Sequence, residues 1–129
     1  MICIDSDCII DFTRGKREAE NIIGKYKNES VTTEINVFEV FLGLYNKKIL
    51  NQEEENGIKM FFNSIEIICR NGWGIKASDI FLNLMRNGKI IDQNDCLIAG
   101  IMLANGCNKI ITRNADHFSR IKDIEVIPY

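Results

Sequence analysis

At 129 residues the chain has the length of one domain, and 46% hydrophobic residues are enough to fill one core, so a single domain over residues 1–129 is expected. Its 26% charged residues match the globular average without a block of like charge, a low-complexity tract or an internal repeat, which argues against disorder. Sixteen Lys and Arg against 18 Asp and Glu leave a formal charge of −2, so no global field draws the chain onto a polyanion and any nucleic-acid contact has to be local.

In chain order, Met1 to Ile4 is a short apolar run closed by Asp5, which reads as a buried strand with the acid at its C-terminal end. Ser6 to Phe12 predicts one or two helical turns, and Arg17 to Tyr26 a helix ended by Lys27-Asn28. Val31-Thr32-Thr33 is a brief strand, and Thr33 caps a helix from Glu34 to about Lys47. In that helix Ile35, Phe38, Leu42 and Tyr45 recur at spacings of three and four and are expected to form its buried face. Asn51 to Ser64 predicts a helix, Ile65 to Cys69 a strand, Gly72-Trp73-Gly74 a loop, and Ile75 to Arg86 a helix stopped by Asn87-Gly88. A helix from Asp92 to Ala104, a strand from Lys109 to Thr112, a short turn and a strand from Glu125 to Ile127 complete the chain. Short apolar runs separated by helices, with few hairpin signals, predict an α/β fold: a three-layer α/β/α sandwich with a mainly parallel central sheet.

Five cysteines, Cys3, Cys8, Cys69, Cys96 and Cys107, form no C-x-x-C pair and fit a reducing cytosol. Cys107 with the single His117 lacks the spacing of a structural zinc site. No apolar run approaches the ~20 residues needed to cross a bilayer, and the opening residues lack a basic n-region, so a soluble cytoplasmic protein is expected.

In a parallel sheet, ligands gather beyond the carboxyl ends of the strands. Asp5 and Thr112-Arg113-Asn114 both sit at such ends, and Asp92 and Asp95 open a helix, so distant stretches can converge there. A carboxylate closing a central strand is costly unless compensated, and a hard divalent cation such as Mg²⁺ or Mn²⁺ would compensate Asp5; helix capping is the alternative role. Asp7 reads as a first-turn or cap residue. Glu39, near the stripe of its helix, is turned partly toward the core, either as a ligand or as a buried glutamate paired with a cation. Asp92 and Asp95, at i and i+3, point to one face, with one of them serving as the cap and Asp95 favoured as the ligand.

Four stretches together resemble the PIN domain family, and within it the VapC-type toxin ribonucleases. They are Ile4-Asp5-Ser6-Asp7-Cys8-Ile9-Ile10, Phe38-Glu39-Val40-Phe41-Leu42-Gly43-Leu44, Asp95-Cys96-Leu97-Ile98-Ala99, and Ile111-Thr112-Arg113-Asn114 with Phe118. The resemblance implies a ribonuclease in which Asp5, Glu39 and Asp95 surround Mg²⁺ or Mn²⁺ that activates water toward a phosphodiester. It carries Asp116 over as the fourth acid, although His117 stands where an aspartate is common in the family. Asp92, Asn114 and Thr112 follow as accessory residues, and Arg113, Arg14, Lys16 and Arg17 as candidates to hold flanking RNA phosphates. A partner antitoxin, a homodimer and single-stranded or looped RNA as substrate are likewise implied by similarity.

Two alternatives stand beside this reading. Asp5-Ser6-Asp7 copies the D-x-D start of a haloacid-dehalogenase-like phosphatase, although that reading leaves Glu39 and Thr112-Arg113-Asn114 idle. A PIN-like fold without turnover, serving as an RNA- or protein-binding module, is the other, because fold does not fix function.

Overall fold

A computed structural model describes all of residues 1–129. Five short strands alternate with seven helices: β1 (Ile2–Ile4), α1 (Ser6–Thr13), α2 (Arg17–Tyr26), β2 (Ser30–Thr33), α3 (Glu34–Tyr45), α4 (Gln52–Ser64), β3 (Glu66–Ile68), α5 (Trp73–Arg86), α6 (Gln93–Ala104), β4 (Lys109–Ile111), α7 (Ala115–Ser119) and β5 (Glu125–Ile127). The sheet order is β3-β2-β1-β4-β5 with every pairing parallel, so β1 is central and Cys3 lies opposite both Val31 and Ile110. Side chains alternate along β1. Cys3 joins a core of α5, α6 and α7 residues that includes Leu84, Ile98, Met102 and Phe118. Ile2 and Ile4 face the opposite layer with Ile9, Ile23, Val40, Ile58 and Phe62 from α1, α2, α3 and α4. Two apolar layers on one parallel sheet give the predicted α/β/α sandwich, each fully buried aliphatic side chain contributing roughly 1.5–3 kcal/mol.

On the Cys3 side α5 and α6 pack so closely that a Cβ on Gly100 would stand 2.7 Å from the Ala77 Cβ and 2.8 Å from its backbone nitrogen. Only glycine fits at that crossing. The predicted loop at Gly72-Trp73-Gly74 is instead a helix start: Gly72 takes a left-handed φ of 92° as the cap and α5 begins at Trp73. The predicted turn between β4 and β5 contains α7, five residues being too few to show a helical period. All five cysteines are free, and all but Cys69 are buried. No helix is long and apolar enough to cross a membrane.

Helix α3 is rotated away from its predicted face, of which only Ile35 packs against the core. Phe38, Leu42 and Tyr45 are 54%, 57% and 56% exposed, while Asn36, Val40 and Leu44 are buried. The row at i, i+4 and i+8 is fixed by Asn36, whose side chain is tied to Thr33 and Asp5 as the chain leaves β2. Phe38 lies two residues on, about 200° around the helix, and so faces solvent.

Candidate active site

The C-terminal ends of β1, β2 and β4 lie side by side, and each delivers a polar group to one place. Asp5 follows β1 and is almost fully buried. It caps α1 by accepting from the Ser6 amide at 2.9 Å, so capping and membership of the acid cluster are one arrangement rather than alternatives. Its Oδ2 accepts from the Thr112 hydroxyl after β4 at 2.7 Å, and its Oδ1 accepts from the Asn36 amide at 2.9 Å.

Asn36 is fully buried with every polar atom engaged. Its Oδ1 accepts from Thr33 Oγ1 at 2.7 Å and from the Thr33 backbone amide at 3.3 Å, and its own backbone amide donates to Thr33 Oγ1 at 3.3 Å, which closes a capping box at the start of α3. Its Nδ2 also donates to Ser6 Oγ at 3.0 Å, and Ser6 Oγ donates to Glu39 Oε1 at 2.8 Å. On the other side the Asn114 amide donates to Thr112 Oγ1 at 2.9 Å. The Asn114 side chain donates to Asp95 Oδ2 at 3.0 Å, and His117 Nδ1 lies 2.6 Å from the same oxygen. A continuous hydrogen-bonded path therefore runs from Glu39 through Ser6, Asn36, Asp5, Thr112 and Asn114 to Asp95 and His117.

Asp7, the second residue of α1, meets this path at Thr112, whose hydroxyl lies 3.4 Å from its Oδ2. Its Oδ2 accepts from the Arg113 amide at 2.9 Å, whereas its Oδ1 is buried with no partner. An orphaned carboxylate oxygen costs free energy unless something positive approaches it. The electrostatics agree. Burial, then the neighbouring Asp7 charge, push the Asp5 carboxyl up to about 7 against the hydrogen bonds from Thr112 and Ser6. Burial likewise raises Asp7, Glu39 and Asp95, the last opposed by its contact with His117. Four crowded carboxylates at one end of the sheet all resist ionisation, the condition that a proton or a cation relieves.

No three His, Cys, Asp or Glu side chains stand together in an arrangement that would hold a metal ion, and the carboxylates of the path are joined through Ser6, Asn36, Thr112 and Asn114 rather than directly. The donors are nevertheless hard oxygens around an unsatisfied carboxylate, a composition that suits Mg²⁺ or Mn²⁺. A family model described as PIN domain matches residues 2–124. The chain belongs to the PIN domain family. That membership displaces the phosphatase alternative.

Solved structures with this PIN fold span nearly the whole chain at low identity. VapBC2 from Rickettsia felis, solved bound to a DNA fragment from their promoter, aligns with a TM-score of 0.87 at 19% identity, covering 100% of this chain and 99% of that one. DNA-bound VapBC from Salmonella typhimurium gives 0.82 at 19%, covering 98% and 96%, and VapBC-1 from nontypeable Haemophilus influenzae gives 0.82 at 20%, covering 99% and 98%. Among curated proteins no sequence matches the chain significantly.

Of the residues singled out in the sequence, Asp5, Glu39, Asp95, Thr112 and Asn114 come together. Asp92 does not enter the path: it is exposed and caps α6, accepting from the Asn94 amide at 2.8 Å. Asp116 stands outside. Its side chain is 75% exposed and pairs with Arg120 at 2.7 Å. Asn114 and His117, three apart, share the face of α7 that meets Asp95, so Asp116 is turned to solvent and the imidazole takes the place beside the acid.

The basic candidates divide as well. Arg113 and Lys16 both reach Asp11, Lys16 at 2.7 Å, whereas Arg14 stands 3.8 Å from Glu54 and Arg17 is exposed without an ion pair. Sequence reasoning missed Ser6 and Asn36; it read Asp7 as a first-turn or cap residue, and Asp7 does lie in the first turn of α1, with one carboxylate oxygen buried and unpaired. The one available signal was Thr33 followed three residues later by Asn36, the spacing of a capping box.

Proposed function

We propose that this PIN domain is a Mg²⁺- or Mn²⁺-dependent endoribonuclease and the toxin of a toxin–antitoxin pair. The observation that carries the reading is the hydrogen-bonded path joining Asp5, Glu39 and Asp95, whose carboxyls are all raised by burial and mutual charge. Asp5, Glu39 and Asp95 would hold the ion, which when bound acidifies a water and neutralises charge developing on the phosphate. The protein's own contribution is orientation. Asn36 and Thr112 fix the Asp5 carboxylate, Ser6 fixes Glu39, and Asn114 with His117 fixes Asp95, so little rearrangement is left for the reaction itself. Asp7, with its free oxygen, is a further candidate to balance a cation.

Protein partners are part of the proposal. The structural neighbours are VapBC complexes, which supports an antitoxin partner. Two uncovered apolar surfaces support association, including a homodimer: the Phe38, Leu42 and Tyr45 stripe of α3, and a groove between α2 and α4 lined by Ile23, Met60 and Phe61. The test is cleavage of a structured RNA and of a single-stranded one with Mn²⁺ or Mg²⁺, with a chelator, and with Asp5→Asn. Cleavage that needs the metal and disappears in the variant supports the reading. Equal cleavage by the variant would remove the mechanism, and metal-supplied wild-type protein that binds RNA without cutting it would favour the binding-module alternative.

A further inference from the structure

Asp11 lies one turn beyond Asp7 on the same face of α1, and it is buried too, yet its surroundings are basic. Lys16 Nζ stands 2.7 Å from Oδ1, and the Arg113 guanidinium and the Tyr129 hydroxyl, the latter at 2.9 Å, both contact Oδ2. The Arg113 guanidinium also lies 5.2 Å from the centre of the Tyr129 ring. One cation is enough to neutralise one buried carboxylate, and here there are two, leaving one positive charge over. Both remain open to solvent, Lys16 at 45% and Arg113 at 49%.

Arg113 also ties this basic spot to the acid end, since its amide donates to Asp7 while its guanidinium reaches Asp11. A guanidinium has five donors and a lysine three, so each keeps hydrogens free for a ligand after binding Asp11. A cation already held in place loses less side-chain freedom on meeting a phosphate than a free one does. Arg17 has no such anchor, and Arg14 stands 3.8 Å from Glu54, too far for a hydrogen bond, so neither is held in place.

Resting on the nuclease reading, we propose that Lys16 and Arg113 form a phosphate subsite for the backbone of single-stranded RNA flanking the acid cluster, with Asp11 as the positioning residue that sets both cations. Asp11 lies one turn farther along α1 from the strand ends than Asp7, so the subsite takes a phosphodiester next to the one that is cut. Arg14 and Arg17 lie outside it.

The test is the salt dependence of binding of a labelled single-stranded RNA to the full chain carrying Asp5→Asn, with Mg²⁺ present and thermal denaturation confirming that each variant is folded. Each phosphate contact contributes about 0.7 to the slope of log K against log salt for single strands, so Lys16→Gln and Arg113→Gln each lower it by about 0.7. Arg14→Gln and Arg17→Gln leave it unchanged. Asp11→Asn separates positioning from charge: removing a negative charge alone tightens RNA binding, whereas loss of the anchor weakens it. Tyr129→Phe, which changes no charge, weakens binding by about threefold to tenfold, the range of one hydrogen bond, at an unchanged slope. Equal slopes for all four cation variants, or tighter binding by Asp11→Asn, overturn the subsite while metal-dependent cleavage by the wild type still stands. Absence of both cleavage by the wild type and RNA binding overturns the nuclease reading and the subsite together.

Discussion

Asp7 and Asp11 sit one helical turn apart on α1, Asp11 buried and Asp7 partly so with its Oδ1 shut away from water, and their surroundings are opposite in character. Asp7 has a carboxylate oxygen with no partner and belongs to a group of acids that burial and mutual charge hold above the usual carboxylate range. Asp11 has two cations and a tyrosine hydroxyl; burial pushes it up, but Lys16, Tyr129 and Arg113 together hold it below that range. A buried carboxylate that is compensated fixes its partners in one arrangement, and removing any one of them leaves the others unpaired at a cost in stability. A partly buried carboxylate with an oxygen left unpaired beside three other acids costs stability, a cost that a proton or an external cation would relieve.

The largest expected effect comes from the acid end. Asp95→Asn lowers metal-dependent cleavage by roughly 10²–10³-fold, the loss seen when one preorganised electrostatic group is removed, as measured by initial rates at saturating Mn²⁺. Removing a supporting amide is milder. Asn36→Ala frees one side of Asp5 and the hydroxyl of Ser6, and the expected loss in metal affinity or rate is about 10–100-fold.

Stability against pH separates the two carboxylate regions by sign. Asp5 is raised to about 7, so its contribution is fully present below its ordinary value near 4 and is lost as pH rises through about 7. Asp11 is lowered, so its contribution is present above the ordinary carboxylate value and is lost as pH falls through its depressed one. Urea denaturation from pH 4 to 8 without divalent ions is therefore expected to show Asp5→Asn gaining on the wild type with rising pH, by a few kcal/mol at the top of the range. Asp11→Asn is expected to be less stable than the wild type by a nearly constant margin over the same range, because the Asp11 contribution is lost only below about pH 4. The smallest effect belongs to Asp116, which is exposed and paired only along its own helix: Asp116→Ala changes stability by no more than about 0.5 kcal/mol and leaves the cleavage rate within about twofold.

The layered fold was legible because the local signals agreed with it. Short apolar runs were buried on both faces as parallel strands require, and Thr33, Asn51 and Asp92 capped helices where their side chains allow. Asp5 and Asp95 could be picked out as acids at a strand end and a helix start, and Glu39 by its place near the apolar stripe of its helix. What placed Glu39, however, was not the stripe of Phe38, Leu42 and Tyr45, which faces solvent, but Asn36 one turn earlier, which locks the rotation of α3. Periodicity cannot tell which of two apolar rows turns inward when a buried polar side chain decides it. The exchange of Asp116 for His117 was hidden for a related reason: α7 is a helix of five residues, and only its presence sets which neighbour meets Asp95.

The central claim is that acids from three parts of the chain share one divalent ion. Calorimetric titration of the protein with Mn²⁺ at pH 7 tests it most directly. Saturable binding by the wild type that is lost in both Asp5→Asn and Asp95→Asn, with both variants still folded, is the predicted result. Binding unchanged by either substitution, or no saturable binding by the wild type, would contradict it.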